Sequence, residues 1–281
     1  MTALVTGASG QLGRALRPLL PAATFTDVDE LDITDRAALA AFDWSGTTAI
    51  VNAAAWTAVD AAEDPDRVPT VWDVNVSGVA NLAWHARRLD VPLVHVSTDY
   101  VFGGGADAPL PVDAPLDPQG VYGITKAASE MAARLAPRHY VVRTGWVFGD
   151  GPNFVRTMLR LAASRPELTV VDDQLGRPTY AVDLADALVA LLARGAPTGT
   201  YHATGDGDVV SWAGFATTIL EGTGCTVRPV RTAEYAAGSA PLAPRPAYSV
   251  LDMTSLRAQG VGMRDWRLAL AEYLAVEREA S

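Results

Sequence analysis

The chain has 281 residues, enough for one large α/β domain or a core domain with a smaller appended lobe. Hydrophobic residues make up 49% and charged residues 19%, the balance of an ordinary globular protein rather than a disordered one. A formal net charge of −10 without a Lys/Arg cluster argues against nucleic acid or an anionic membrane as partner, and the lone cysteine, Cys225, excludes an intrachain disulfide and a cysteine-built metal site.

The N-terminus, MTALVTGASG, runs directly into a predicted strand and turn. It has no basic segment followed by a long apolar one, so no signal peptide is expected. No apolar run approaches the roughly 20 residues of a spanning helix, which makes the cytoplasm the expected location. Strands are predicted at 2–5, 23–28, 49–54, 92–97 and 139–144, with helical spacing between them at 11–20, 35–42, 66–89 and 122–136. Strands separated by helices imply parallel crossovers, hence an α/β fold with a Rossmann-type doubly wound sheet. After Gly145 the regular alternation lapses, and helices are predicted at 153–164, 180–193, 211–222 and 265–277. A short strand at 199–204 is expected to rejoin the main sheet. The expected organisation is a dinucleotide-binding domain over 1–145, with 179–205 returning to it, and a smaller, mostly C-terminal substrate-binding lobe over 146–178 and 206–281.

Between the first strand and first helix, VTGASGQLGRAL places Gly7, Gly10 and Gly13. Glycines there permit a tight turn, a close backbone approach to a pyrophosphate and close packing of helix on strand. The free N–H groups of the helix start favour the phosphates. At the end of the second strand, TFTDVDELD puts Asp27 and Asp29 where an adenosine ribose lies in such folds. A carboxylate there accepts from a 2′-hydroxyl and repels a 2′-phosphate, and no Arg or Lys follows until Arg36, so NADH is expected in preference to NADPH.

The fourth strand stops at STDY, which sets Ser97, Thr98, Asp99 and Tyr100 at its carboxyl end, where ligands of parallel sheets bind. Just beyond, PQGVYGITKAASE carries Tyr122 and Lys126, four apart and therefore on one helix face. Taken alone, that pair reads equally as a ring packed on a lysine stem. Beside a cofactor turn and a strand-end hydroxyl it matches the needs of carbonyl reduction: a hydride donor, an acid and a group that orients the oxygen. Lys126 is expected to favour the ionised form of Tyr122 and to hold a nicotinamide ribose, and Thr98 to bind the carbonyl oxygen. No two of the four histidines, His85, His95, His139 and His202, show metal-ligand spacing, and all four are assigned to structure. Arg245, in a Pro-rich loop, offers a planar fork suited to a diphosphate, although a surface arginine is an equal reading. From the residues alone, Trp146 reads as core.

These features together resemble the extended short-chain dehydrogenase/reductases, and more narrowly the dTDP-4-dehydrorhamnose reductase family. The stretches that carry the resemblance include GASGQLG (7–13), ELDITD (30–35), VNAAAWTAVDAAE (51–63), VHVSTDYVF (94–102), VYGITK (121–126), RTGWVFGDGPNFVRTML (143–159), VVDDQLGRPT (170–179) and RPAYS (245–249), in order along most of the chain. The resemblance implies reduction of the 4-keto group of a dTDP-6-deoxyhexose by a nicotinamide cofactor. It assigns Thr98, Tyr122 and Lys126 to catalysis, and Asp99, Tyr100 and Trp146 to the sugar. Gly7, Gly10, Gln11, Leu12 and Gly13 are assigned to the pyrophosphate, Asp32 and Ile33 to the adenine, and Ala53, Ala54, Ala55 and Thr57 to the cofactor along the third strand. Asn153, Gln174 and Arg245 are candidates for the nucleotide part of the substrate.

Two departures stand out. Some members carry a Glu on the first helix that serves a metal-bridged dimer. Ala15 stands there in this chain, so no metal is expected, and the protein is expected to be a monomer or a weak homodimer. RPAYS has Tyr248 where Asn is more typical before the Ser. Two rival functions share the fold. A nucleotide-sugar epimerase or dehydratase shares the Tyr/Lys pair, but a dehydratase needs an acid directly after the strand-four Asp, and Tyr100 occupies that place. A non-catalytic subunit resembling the methionine adenosyltransferase β subunit would not need the intact Thr98, Tyr122 and Lys126 set.

Overall fold

The computed structural model describes residues 2–237 and 242–279. Strands β1 (Ala3–Thr6), β2 (Thr24–Thr26), β3 (Ala49–Asn52), β4 (Leu93–Thr98) and β5 (His139–Thr144) join a sixth strand, Gly199–His202, in one parallel sheet. The spatial order is sixth strand, β5, β4, β3, β1, β2. The chain therefore runs outward from β1 to β2 and then restarts on the other side of β1 with β3. That reversal opens a crevice above the carboxyl ends of β1 and β3, the place where doubly wound sheets bind ligands.

The alternation of side chains along each strand builds a core on both faces. Ala3 and Val5 of β1 pack with Leu12, Leu16, Leu184 and Leu188, whereas Leu4 between them packs with Leu39, Leu82 and Ala83. The sheet is thus covered on one side by helices Gln11–Leu16 and Ala181–Ala193 and on the other by Arg36–Ala41 and Gly78–Leu89. A separate core, built on Phe148, Val155, Phe215, Trp266 and Tyr273, holds the helices Phe154–Ala162, Trp212–Ile219 and Trp266–Glu279.

The predicted strand 199–204 does join the main sheet, as Gly199–His202 beside β5. The predicted helix 66–89 is one helical run with a π turn at Asp73–Ser77 between Val68–Trp72 and Gly78–Leu89. The predicted helix 11–20 keeps helical geometry only over Gln11–Leu16. A parallel pair, Glu167–Val171 with Thr226–Val230, was not foreseen. Pro229 lies within its second strand, and a proline inside a run argues against a strand except at an edge.

Candidate active site

The glycine turn begins at Gly7, whose φ of 75° lies in the left-handed region. A Cβ on Gly7 would stand 2.6 Å from the Ala54 nitrogen, so the turn lies against the segment that leaves β3. Asp27 reaches the same turn: its Oδ2 accepts from the Ser9 N–H at 2.8 Å and its Oδ1 from the Val28 N–H at 2.8 Å. Burial opposes its charge, but these N–H groups outweigh burial and hold the carboxyl below its ordinary range. Asp29 is exposed. Asp32 is engaged in its own turn, accepting from the backbone and hydroxyl of Thr34, and Ile33 is buried beside it. Gln11 Oε1 is buried without a hydrogen-bond partner, while Ala53, Ala54 and Ala55 are half-buried and Thr57 is exposed.

At the end of β4, the Thr98 hydroxyl donates to Asp99 Oδ1 at 3.0 Å and accepts from the Tyr100 N–H at 3.2 Å. Helix Val121–Ala133 presses closely on this corner, because a Cβ on Gly123 would stand 2.4 Å from the Tyr100 carbonyl oxygen. The rings of Tyr100 and Tyr122 consequently meet edge to face at 5.6 Å. Lys126, 2% exposed, donates from Nζ to the Val96 carbonyl at 2.7 Å. The structure thus brings Thr98, Asp99, Tyr100, Tyr122 and Lys126 to one corner of the sheet.

The electrostatics differ from expectation in one respect. Burial pushes the Tyr122 phenol up to about 12, only partly offset by hydrogen bonding with Thr98, and Asp99 raises it further. Burial pulls Lys126 itself down to about 8, against the opposing field of Glu130. The expectation that Lys126 makes Tyr122 more acidic is therefore not met here, because desolvation dominates both groups. Tyr122 is a protonated phenol at neutral pH.

Burial also raises Asp99 to about 6, against hydrogen bonds from Ser249 and Thr98. The fold favours its protonated form, so the stability this group contributes is complete below about pH 4 and is lost as pH rises through about 6. Asp99→Asn should flatten that pH step, worth on the order of 2–3 kcal/mol. Unfolding curves at pH 4 and pH 7 check this; a variant with the wild-type slope would contradict it.

Behind the corner lies a chain of buried polar groups. Thr6 donates to Asn52 Oδ1 at 2.7 Å, and Asn52 Nδ2 meets His95 Nδ1 at 3.1 Å. His95 Nε2 meets the Ser129 hydroxyl at 2.8 Å, and that hydroxyl donates to the Lys126 carbonyl at 2.6 Å. With Nδ1 accepting and Nε2–H donating, His95 is neutral, and burial depresses its pKa. Its structural assignment from sequence agrees with these contacts.

Beyond Tyr100, a cavity of about 490 Å³ is lined by Asp60, Phe154, Gln174, Trp212, Thr232 and Arg245 among others. Arg245 lines the cavity and lies near enough to Tyr100 for its charge to act on that phenol, and so joins the cavity to the corner. Gln174 donates to the Thr232 hydroxyl at 3.0 Å. Trp146, at a left-handed φ of 53°, stacks with ring centroids 3.7 Å apart on Trp212, which lines the cavity; it is half-buried and packs against the second core, in line with its reading from the residues alone. Asn153 is placed differently: it caps helix Phe154–Ala162 by accepting from the Arg156 N–H, and its amide donates to Gly149, Gly151 and Tyr273. Its polar atoms are engaged away from the cavity.

Several neighbours of the site were missed in the sequence. Asn75, in the π turn, accepts from the Trp56 N–H at 2.8 Å and donates to Thr125 at 3.0 Å, beside Lys126. Asp60 pairs with Arg245 at 2.8 Å, and Glu63 accepts from the Val121 N–H at 2.8 Å. In the sequence, Asp60 and Glu63 stand as two carboxylates three apart in AVDAAE, inside a stretch that carries the family resemblance. Among the described residues, no three His, Cys, Asp or Glu side chains gather as a metal-ligand group, and no helix is long and apolar enough to cross a membrane.

The family described as RmlD substrate binding domain matches residues 1–279. The dTDP-4-dehydrorhamnose reductase of Streptomyces griseus is 44% identical over 96% of this chain and 91% of its own length. The crystal structure of a dTDP-4-dehydrorhamnose reductase from Clostridium acetobutylicum superposes with a TM-score of 0.93 at 38% identity, covering 99% of this chain and 100% of that one. The dTDP-4-dehydrorhamnose reductase from Bacillus anthracis in complex with NADP superposes with a TM-score of 0.89 at 33% identity, covering 98% and 99%. With a six-stranded parallel sheet, a glycine turn and a Thr/Tyr/Lys corner at the carboxyl ends of its strands, this chain belongs to the dTDP-4-dehydrorhamnose reductase family.

Proposed function

We propose that the protein reduces the 4-keto group of a dTDP-6-deoxyhexose with a reduced nicotinamide cofactor. The observation that carries this reading is the convergence of the Thr98 and Tyr122 hydroxyls beside a cavity that Arg245 borders. The residues present fit a dinucleotide. The glycine turn has its left-handed start at Gly7, Gln11 Oε1 is buried and unpartnered, and Asp27 is held ionised at the turn. Gly7, Gly10, Gln11, Leu12 and Gly13 would hold the pyrophosphate and Asp27 the adenosine ribose. Asp32 and Ile33 would flank the adenine, Ala53, Ala54, Ala55 and Thr57 the crevice, and Lys126 the nicotinamide ribose. When bound, the cofactor supplies the hydride.

The chain's own residues supply the rest. Arg245 and Gln174 anchor the nucleotide end, and Trp146 and Tyr100 bracket the sugar. Thr98 already carries one donated and one accepted hydrogen bond, so it must turn its hydrogen from Asp99 to orient the substrate oxygen. Tyr122, desolvated and protonated, gives its proton to the oxygen as negative charge develops there. A phenol near 12 still suffices, because an alkoxide is the stronger base. The ionised Asp27 disfavours a 2′-phosphate, so NADH is the preferred reductant. The protein acts as a monomer or weak homodimer, in the cytoplasm.

The test follows the oxidation of NADH and NADPH with dTDP-4-keto-6-deoxy-L-mannose, beside dTDP-glucose. Oxidation with the keto sugar and a lower KM for NADH are expected. Release of a 4-keto product from dTDP-glucose, without net cofactor oxidation, would instead make the protein a dehydratase. A similar Kd for both reduced cofactors would remove the preference.

A further inference from the structure

The four-residue 3-10 helix Asp60–Glu63 follows the Ala53–Thr57 segment that leaves β3. In a 3-10 helix, residues three apart eclipse one another, so its two carboxylates share a face. They reach two different parts of the chain. Asp60 Oδ1 accepts from the Ala243 N–H at 2.9 Å, and its Oδ2 accepts from Arg245 Nη2 at 2.8 Å. Arg245 Nη1 in turn donates to the Ala243 carbonyl at 2.9 Å, which closes a ring around the guanidinium. Glu63 Oε1 accepts at 2.8 Å from the N–H of Val121, the first residue of the helix that carries Tyr122. That helix has no side-chain cap at its own N-cap, Gly120, and a Cβ on Gly120 would stand 2.6 Å from Glu63 Oε1 and 3.4 Å from Pro244. The Arg245 loop and the start of the Tyr122 helix therefore meet on the Asp60–Glu63 face.

We propose that Asp60 and Glu63 are positioning residues that form one clamp: Asp60 aims Arg245 at the substrate diphosphate, and Glu63 fixes the start of the helix that presents Tyr122. The proposal rests on the roles given above to Arg245 and Tyr122. The clamp grows from the segment assigned to the cofactor, so the crevice and the cavity share one short support. Asn75 secures the root of this support by holding the Trp56 N–H and Thr125 together. A purely structural reading of the Asp60–Arg245 pair predicts little, because Asp60 is 46% exposed and such pairs add little stability. Its effect should appear in ligand binding instead.

The binding arm uses dTDP itself, titrated calorimetrically. Asp60→Asn should weaken dTDP about tenfold, Arg245→Ala at least as much, and the double variant no more than Arg245→Ala alone. The kinetic arm uses Glu63: Glu63→Ala should lower kcat about tenfold with KM for the keto sugar little changed. Glu63→Gln, which keeps an oxygen for the Val121 N–H, should restore most of it. A protein that reduces the keto sugar while Asp60→Asn binds dTDP like wild type, or while Glu63→Gln fares no better than Glu63→Ala, overturns the clamp and leaves the reductase reading intact. A wild-type protein that neither binds dTDP nor oxidises the cofactor overturns both.

Discussion

Replacing Tyr122 by phenylalanine is expected to lower kcat by about a hundredfold or more while leaving the Kd of the cofactor unchanged. The substitution removes one oxygen and keeps the ring, so the edge-to-face contact with Tyr100 and the close packing at Gly123 survive. What is lost is the phenol that lies near enough to the Thr98 hydroxyl at the strand end to interact with it. Neither Lys126, whose Nζ is turned to the Val96 carbonyl, nor Asp99, whose Oδ1 already accepts from Thr98, is arranged to replace it. Steady-state kinetics beside cofactor titration by fluorescence separates the two effects. A kcat within a fewfold of wild type would remove Tyr122 from the chemistry.

The second large effect concerns stability. Arg143→Ala should destabilise the fold by about 3–5 kcal/mol, because it strands a buried carboxylate. Arg143 is 2% exposed and Glu130 1%, joined by Nε to Oε1 at 2.8 Å and Nη2 to Oε2 at 2.8 Å. Ser97 also donates to Glu130 at 2.7 Å, and Arg143 donates to the Val112 carbonyl at 2.9 Å and lies 5.0 Å from the centre of the Phe102 ring. His202, pushed down to about 3 first by burial and then by Arg143, is neutral and sits 3.2 Å from Nη1. The pair ties β4, β5, the sixth strand and the Tyr122 helix into one block, with Glu130 one turn beyond Lys126. Urea unfolding of the variant checks the loss. Replacing both partners by apolar residues of similar volume should recover much of it, since the penalty comes from the unpaired charge. A midpoint unchanged in Arg143→Ala would contradict the account.

How much of this was legible in the sequence follows from the range of the interactions. The strands of the main sheet declared themselves through apolar runs, because strands buried on both faces need no polar alternation. Gly7, Thr98, Tyr122 and Lys126 were legible because each sits beside a turn, a strand end or a helix start that local pattern reveals. Asp60 and Glu63 were not, since their partners lie 185 and 58 positions away, and a partly exposed carboxylate looks the same in the sequence with or without one. Asn153 shows the converse. It lies in a stretch that carries the family resemblance, and its position just before a helix is a sufficient local reason for an Asn. Spacing placed Tyr122 and Lys126 on one helix face, but the balance between a neighbouring ammonium and desolvation depends on how completely the corner closes.

The most direct test of the central claim is the fate of the transferred hydride. Reduced cofactor carrying deuterium at the transferable position is mixed with dTDP-4-keto-6-deoxy-L-mannose, and the product sugar is analysed by NMR and mass spectrometry. The account predicts one deuterium per product, at C4 of the sugar, and its near disappearance with Tyr122→Phe over the same time. Deuterium at another carbon, or turnover of the sugar with no deuterium gained, would contradict it.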